Sequence, residues 1–297
     1  MKCCIYSRVY NENPYLSFFI EHYINLGFTK FIFLKADNES YYIHEEYKDC
    51  VEFIDINNLP NEEELLVNSE HILSLNYDWV FGCDIDEFLI LNNKYKSIQD
   101  FITEKLKINN YINTFYFRWG LTYKMDNNII NLDSLLNKYT IFKNKNIKSM
   151  VKISNMIAMV HPHHFKLNEK DIIYFENEVK IFDNLMHEIN ENYSYEEVFL
   201  LHIYVRSINN LFIKFLDNGK NWNNKNYYTF NLDQFNNKFL SKSTKYFLTF
   251  DELIKNTGNR AIELIKDNSN NILNFNKDKF LLFNNKFNIF NYQNEKK

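Results

Sequence analysis

With 297 residues, 45% of them hydrophobic and 18% aromatic, the chain has material for a large buried core, in one domain or two, and is not a disordered polypeptide. A formal net charge of −4 and a pI near 6.1 argue against nucleic acid as a main partner, although lysines gather after residue 137. Four cysteines without CxxC spacing disfavour zinc and fit buried, reduced thiols, and no signal-like leader or spanning apolar run is seen, so the expected location is cytoplasmic.

In chain order, Lys2–Val9 reads as a short strand and Asn13–Leu26 as a helix, with Pro14 in its first turn and Gly27 as its C′ residue. Strands are expected at Lys30–Lys35 and Val51–Ile56, and a helix at Glu62–Leu75. The run Asp78–Leu91 (DWVFGCDIDEFLIL) places Asp84, Asp86 and Glu87 inside an otherwise apolar segment. Read as one buried strand from Trp79 to Leu91, it sends Asp84 and Asp86 to one face and Glu87 to the other. Carboxylates converging at a strand end invite a divalent cation such as Mg²⁺ or Mn²⁺, whose remaining positions are filled by water and substrate phosphates. The competing reading is a carboxylate pair that caps loops or pairs with Lys or Arg.

A helix at Ser97–Leu106 and a strand at Thr114–Trp119 complete an alternation of strands and helices. Such alternation predicts the α/β class: a doubly wound, mainly parallel sheet with helices on both faces and ligands beyond the carboxyl ends of its strands. From Thr122 to about Lys180 the pattern loosens, with short strands at Lys148–Ile153 and Met156–Val160, and this stretch is expected to face an acceptor. A helix-rich tail is expected from Ser194, including Ile208–Leu216 and Phe250–Ile265. The division is 1–220 as one domain, split into a nucleotide-binding half (1–120) and an acceptor-side half (121–220), followed by a helical extension, 221–297. Only five glycines are present, in neither a GxGxxG nor a P-loop arrangement, so a bound diphosphate would need a metal as counter-charge.

Four segments, Ser7–Leu16, Phe19–Gly27, Trp79–Leu89 and Leu201–Ser207, together resemble glycosyltransferase family 92 and related family 2-like enzymes. The resemblance implies a GT-A fold over about residues 1–220 and a metal-dependent transfer of sugar, expected to be inverting, from a nucleotide-diphosphate donor, expected to be UDP-linked, to a glycan, protein or lipid-linked acceptor. It further implies that Arg8, Asn11 and Glu12 line the nucleotide and that Asp37 contacts base or ribose. Asp84 would face ribose and metal, and Asp86 would be the main metal ligand. His202 would complete the metal shell or touch the diphosphate, with Arg206, Ser207 and Lys214 as a basic end of the same motif. The catalytic base is left open among Asp126, Asp171, Glu176 and Glu178.

Other readings stand beside these. A catalytically silent sugar-nucleotide or glycan-binding module on the same fold is one alternative. A metal-dependent hydrolase using the cluster His161-Pro162-His163-His164 is another. Trp119-Gly120 is either a platform under a sugar or core. The aromatic stretch Phe275–Phe290 is read as packing on its own domain or in self-association, with peripheral membrane contact as the alternative.

Overall fold

The computed structural model describes residues 1–10, 12–56, 59, 61–123, 141–161, 164–168, 170–175, 178–182 and 195–205. Asn11, Asp126, Pro162, His163, Glu176, Arg206, Ser207, Lys214, the helices expected over 208–216 and 250–265, and Phe275–Phe290 lie outside the described residues.

The first half alternates as β1 (Cys3–Val9), α1 (Asn13–Asn25), β2 (Lys30–Lys35), β3 (Val51–Asp55), α2 (Asn61–Ser74), β4 (Trp79–Gly82), β5 (Glu87–Leu91) and α3 (Ile98–Ile108). The described part of the second half is almost all strand: β6 (Thr114–Tyr123), β7 (Phe142–Lys152), β8 (Met156–His161), β9 (His164–Leu167), β10 (Asp171–Phe175), β11 (Glu178–Phe182) and β12 (Val198–Val205). Ten of these strands make one mixed sheet, in which β3, β2, β1 and β4 lie side by side and parallel. Beyond β4, β7 runs antiparallel and β6 runs with β4 again, followed by β10 and the edge strand β11. Strand β12 lies parallel along the C-terminal half of β6 and carries β5 antiparallel on its other side. The class is α/β, as the alternation predicts.

Residue alternation explains why both faces are covered. Ile5, Phe31, Phe33, Trp79 and Phe81 pack with Leu16, Phe19 and Tyr23 of α1 and Phe101 of α3, while Tyr6, Ile32, Leu34 and Val80 pack with Ile72 of α2 and with Met156, Met159 and Phe165 of the β8–β9 hairpin. Each fully buried phenylalanine contributes about 2–3 kcal/mol from apolar area removed from water.

Helix α1 ends where Gly27 takes a φ of 97°. The Gly27 N–H donates to the Ile24 carbonyl (2.8 Å) and the Phe28 N–H to that of Tyr23 (3.0 Å), a pattern that needs the left-handed residue. The helix also serves the side of β5 that faces away from β12. The Tyr23 hydroxyl donates to the Glu87 carbonyl (3.0 Å) and accepts from the Leu89 N–H (3.1 Å), and His22 Nε2 donates to the Leu89 carbonyl (3.0 Å).

His22 is wholly buried, and that burial, opposed by the bond to Leu89, pushes its pKa down to about 4. An unfolded chain takes up the same proton near pH 6.5. The unfolded state therefore binds more protons between those values, so stability is complete above about 6.5 and declines by up to about 3 kcal/mol as pH falls to about 4. His22→Gln, which keeps an N–H for Leu89, is expected to flatten urea-unfolding stability against pH in this window. An unchanged slope would remove His22 as the acid-sensitive group.

Two expectations are corrected. Trp79–Leu91 is not one strand, because the chain reverses after Gly82 and the Glu87 N–H donates to the Asp84 carbonyl (3.0 Å), closing a tight turn over Asp84–Glu87. The helix-rich reading from Ser194 fails at its start, because Val198–Val205 is a strand inside the sheet, held between β5 and β6.

Candidate functional site

The carboxyl ends of β1, β2 and β4 point to one edge of the sheet. At that edge also lie the start of β7 and the C-terminal halves of β6 and β12. The turn after β4 delivers the acids there. It is fixed to the neighbouring strands by the Cys83 N–H donating to the Tyr6 carbonyl (3.2 Å) and the Ile203 N–H donating to the Asp86 carbonyl (2.8 Å).

Because the acids sit on a turn, strand alternation does not govern where they point. Asp84 and Glu87, expected on opposite faces, converge on one lysine. Lys148 Nζ of β7 lies 2.8 Å from Asp84 Oδ2 and 3.6 Å from Glu87 Oε2. Lys148 and Glu87 are 0% exposed, whereas the Asp84 side chain is 48% exposed. Glu87 Oε2 also accepts the Asp84 backbone N–H (2.9 Å), and its Oε1 has no hydrogen-bond partner among the described residues. Burial pushes the Glu87 carboxyl well above the usual range, against the pull of Lys148. Burial alone would lower Lys148, but Asp84 and then Glu87 more than offset it and hold the ammonium charged. The ion-pair reading of the acids is thus realised at Asp84.

Asp86 turns the other way. Its Oδ1 lies 3.5 Å from His202 Nε2, with both side chains under a tenth exposed. The His202 ring stands edge-on to Trp119, centroids 4.3 Å apart. His202 is placed by register, opposite Glu87 of β5 and Leu121 of β6. The half-buried Trp119 borders this pair, and Gly120 beside it is packed so closely that a side chain would meet Ile141 and Phe199.

Across β1 lies a second group. Asp37, just past β2, accepts the Glu39 N–H (3.0 Å) on one oxygen and the Tyr41 hydroxyl (2.6 Å) on the other. This is the self-bonded turn that Asp favours. Burial, then Asp37, raises the Tyr41 pKa, and the same hydroxyl is bonded to the backbone of Glu12. Arg8 is exposed near the end of β1.

The structure does not bring the base candidates among the described residues to this edge. Asp171 opens β10 two residues before the pairing of Ile173 with Thr114, at the amino end of β6. That is roughly 30 Å along β6 from Leu121, the partner of His202 in register, at about 3.3 Å per residue. Burial pushes Asp171 up to about 6, without bringing it near the acids. Glu178 stands exposed on the edge strand β11, 3.4 Å from Lys180. His164 is buried in the β8–β9 hairpin, its ring 6.0 Å from that of Tyr116.

Lys148 and Tyr41 were not singled out from the sequence. The local signal for Lys148 was weak, since it stands between Ile147 and Ser149 in a strand that carries three other lysines.

Among the described residues no group of three or more His, Cys, Asp or Glu side chains is arranged to hold a metal ion. The set Asp84, Asp86 and His202 is therefore not a ready-made cage. Asp86 and His202 nevertheless fit a divalent cation, since a carboxylate oxygen and an imidazole nitrogen side by side suit Mn²⁺ when phosphates and water complete its shell. Among the described residues no helix is long and apolar enough to cross a membrane.

No protein-family model and no curated protein sequence matches the chain. Among solved structures, it is similar to CMP:2-keto-3-deoxy-manno-octonic acid synthetase complexed with CTP, at 9% identity and a TM-score of 0.27, over 52% of this chain and 75% of that one. A likeness of that size says nothing about chemistry.

Proposed function

We propose that this chain is a glycosyltransferase that moves a sugar from a nucleotide-diphosphate donor, a UDP-sugar first, to an acceptor hydroxyl, with Mn²⁺ or Mg²⁺ held by Asp86 and His202. The observation that carries the reading is the meeting of Asp86, His202 and Trp119 at the carboxyl edge of a parallel β3-β2-β1-β4 sheet, where open α/β sheets take their ligands. The resemblance of the four sequence segments points the same way. The bound cation would supply charge to offset the leaving diphosphate. The chain's own contribution is placement: Asp86 and His202 fix the diphosphate end, Trp119 offers an aromatic surface to the sugar, and Asp37, Tyr41, Glu12 and Arg8 border the nucleoside. The acceptor is a glycan, a protein or a lipid-linked sugar.

A second reading, a silent sugar-nucleotide-binding module, is favoured by one observation: Asp171 and Glu178 lie away from Asp86. The two readings differ in turnover, because only an enzyme releases nucleoside diphosphate from donor and acceptor.

The test is thermal unfolding with UDP and with a panel of UDP- and GDP-sugars, each with and without Mn²⁺. A ligand that binds only the folded chain raises the midpoint by mass action, by about 2.7 kcal/mol at a hundred times its dissociation constant. A Mn²⁺-dependent rise with one nucleotide is expected. No rise with any of them would remove the donor reading.

A further inference from the structure

Strand β6 carries Trp119 between two neighbours that pair with it differently. On one side β12 keeps its register, with Leu200 opposite Trp119 and His202 opposite Leu121. On the other side the pairing with β7 steps from Arg118 opposite Ile147 to Gly120 opposite Lys143, so Trp119 stands against Asn144, Lys145 and Asn146 together. Extra residues in one strand bend it and re-aim a side chain, at the cost of local ladder bonds. Tyr195, shortly ahead of β12, bridges this break. Its hydroxyl accepts the Asn144 N–H (3.0 Å) and donates to the Trp119 carbonyl (2.8 Å), with the Asn144 carbonyl further off at 3.3 Å. Asn144 Oδ1 accepts the Asn146 N–H (2.9 Å) and closes the bulge on itself. Tyr195 is buried, its ring packed against Phe199 of β12 with centroids 5.8 Å apart, so the hydroxyl is a fixed point in a dense interior. The stretch of β6 that it ties down is the one that sets the Trp119 ring 4.3 Å from that of His202.

We propose that Tyr195 is a positioning residue for the donor's sugar: its hydroxyl holds the β6–β7 bulge and, through it, the Trp119 ring as the surface that meets the sugar. This rests on the proposed function, in which Trp119 faces the sugar while Asp37, Tyr41, Glu12 and Arg8 border the nucleoside. The two ends of the donor are served by different parts of the sheet edge. Loosening Trp119 therefore weakens the hold on the sugar and leaves the hold on the nucleotide. A tyrosine that only stabilised the fold would move both together or neither.

The experiment compares whole chains labelled with fluorotryptophan: wild type, Tyr195→Phe, Trp119→Leu and Asn144→Ala. Trp79, Trp119 and Trp222 are the tryptophans of the sequence, and the line lost from the fluorine spectrum in Trp119→Leu identifies that of Trp119. Tyr195→Phe keeps the ring and removes both bonds of the hydroxyl. It is expected to shift or split the Trp119 line and to leave that of the core residue Trp79 in place. Binding of UDP, UDP-glucose, UDP-galactose and UDP-N-acetylglucosamine is then read by calorimetry with Mn²⁺. The sugar nucleotide that wild type binds should bind Tyr195→Phe about tenfold more weakly, with UDP itself staying within about threefold. Trp119→Leu should show the same split. If Tyr195→Phe does not fold, Asn144→Ala, which loosens the same bulge from β7 and keeps the hydroxyl, is expected to act in the same direction. An unmoved Trp119 line, or equal weakening of UDP and of the sugar nucleotide, in a folded variant overturns the inference. Loss of the sugar's share of binding in Trp119→Leu alone removes this role of Tyr195 and leaves the donor reading standing. A wild type that binds none of these nucleotides removes the donor reading and the sugar role with it.

Discussion

Asp86→Asn is expected to abolish Mn²⁺-dependent binding of the nucleotide-sugar, with donor affinity falling by about a hundredfold or more, close to 3 kcal/mol. The substitution keeps the shape of the side chain and removes the carboxylate that stands beside His202. The fold should hardly notice. The turn is kept by backbone bonds, from Glu87 to the Asp84 carbonyl and from Ile203 to the Asp86 carbonyl, neither of which uses the Asp86 side chain. An asparagine oxygen still faces His202, so stability in the absence of ligand should stay within about 1 kcal/mol of wild type. The measurement is the donor-induced shift of the unfolding midpoint, with and without Mn²⁺, in both proteins. If the variant keeps the metal-dependent shift, Asp86 is not the anchor.

Glu197→Gln carries the largest expected loss of stability. Glu197 lies just ahead of β12 and gathers donors from three elements: Lys105 Nζ of α3 (2.7 Å), Lys94 Nζ (2.6 Å) and the hydroxyl of Tyr174 of β10 (2.8 Å). Lys105 is only 2% exposed, and once Glu197 is neutral the acid left to it is the partly open Glu104 at 3.3 Å. Removing one partner of a buried ion pair costs about 3–5 kcal/mol, and Glu104 together with the surrounding rings of Tyr95, Phe101 and Tyr174 places this case near the lower end. Partial burial would raise the Glu197 pKa, but the bonds from Lys105, Lys94 and Tyr174 outweigh it and hold the carboxyl down at about 2. A depressed carboxylate stabilises fully above its unfolded value near 4.5, and this contribution is lost as pH falls toward 2. The gap between wild type and variant in urea unfolding should thus be about 3 kcal/mol at neutral pH and close only below about 4.5. A gap that closes above about 4.5 would contradict the assignment, since His22 titrates in both chains and cancels from the difference.

Much of the scaffold could be read from residue order, because the alternation of β1, α1, β2, β3, α2 and β4 is written in local chemistry. Pro14 opens α1, Gly27 closes it, and β-branched and aromatic runs mark the strands between. The acid turn was hidden by its own flanks. Trp79–Gly82 and Glu87–Leu91 are both buried, so the apolar run looks continuous, and only Gly82 and the turn preference of Asp hint at a reversal. Val198–Val205 failed for a related reason, since a short continuous apolar run is equally compatible with a buried strand and a buried helix. The meeting of Asp86 with His202 spans more than a hundred residues and was approached only through the resemblance, not through spacing. Lys148 and the distance of Asp171 from the acids depend on strand order and direction beyond β4, which no local pattern encodes.

The helix α1 has a consequence for the solution behaviour of the whole molecule. A strand with one side unpaired is a template for another chain, and β5 has β12 on one side only among the described residues. His22 and Tyr23 take up the outward carbonyls of Glu87 and Leu89 and the N–H of Leu89, so the template is plugged by side chains in place of a neighbouring strand. Opening of α1 alone, without global unfolding, would uncover a short apolar strand ready for edge-to-edge polymerisation, and the residues that hold it shut are the same ones that support the acid turn from behind.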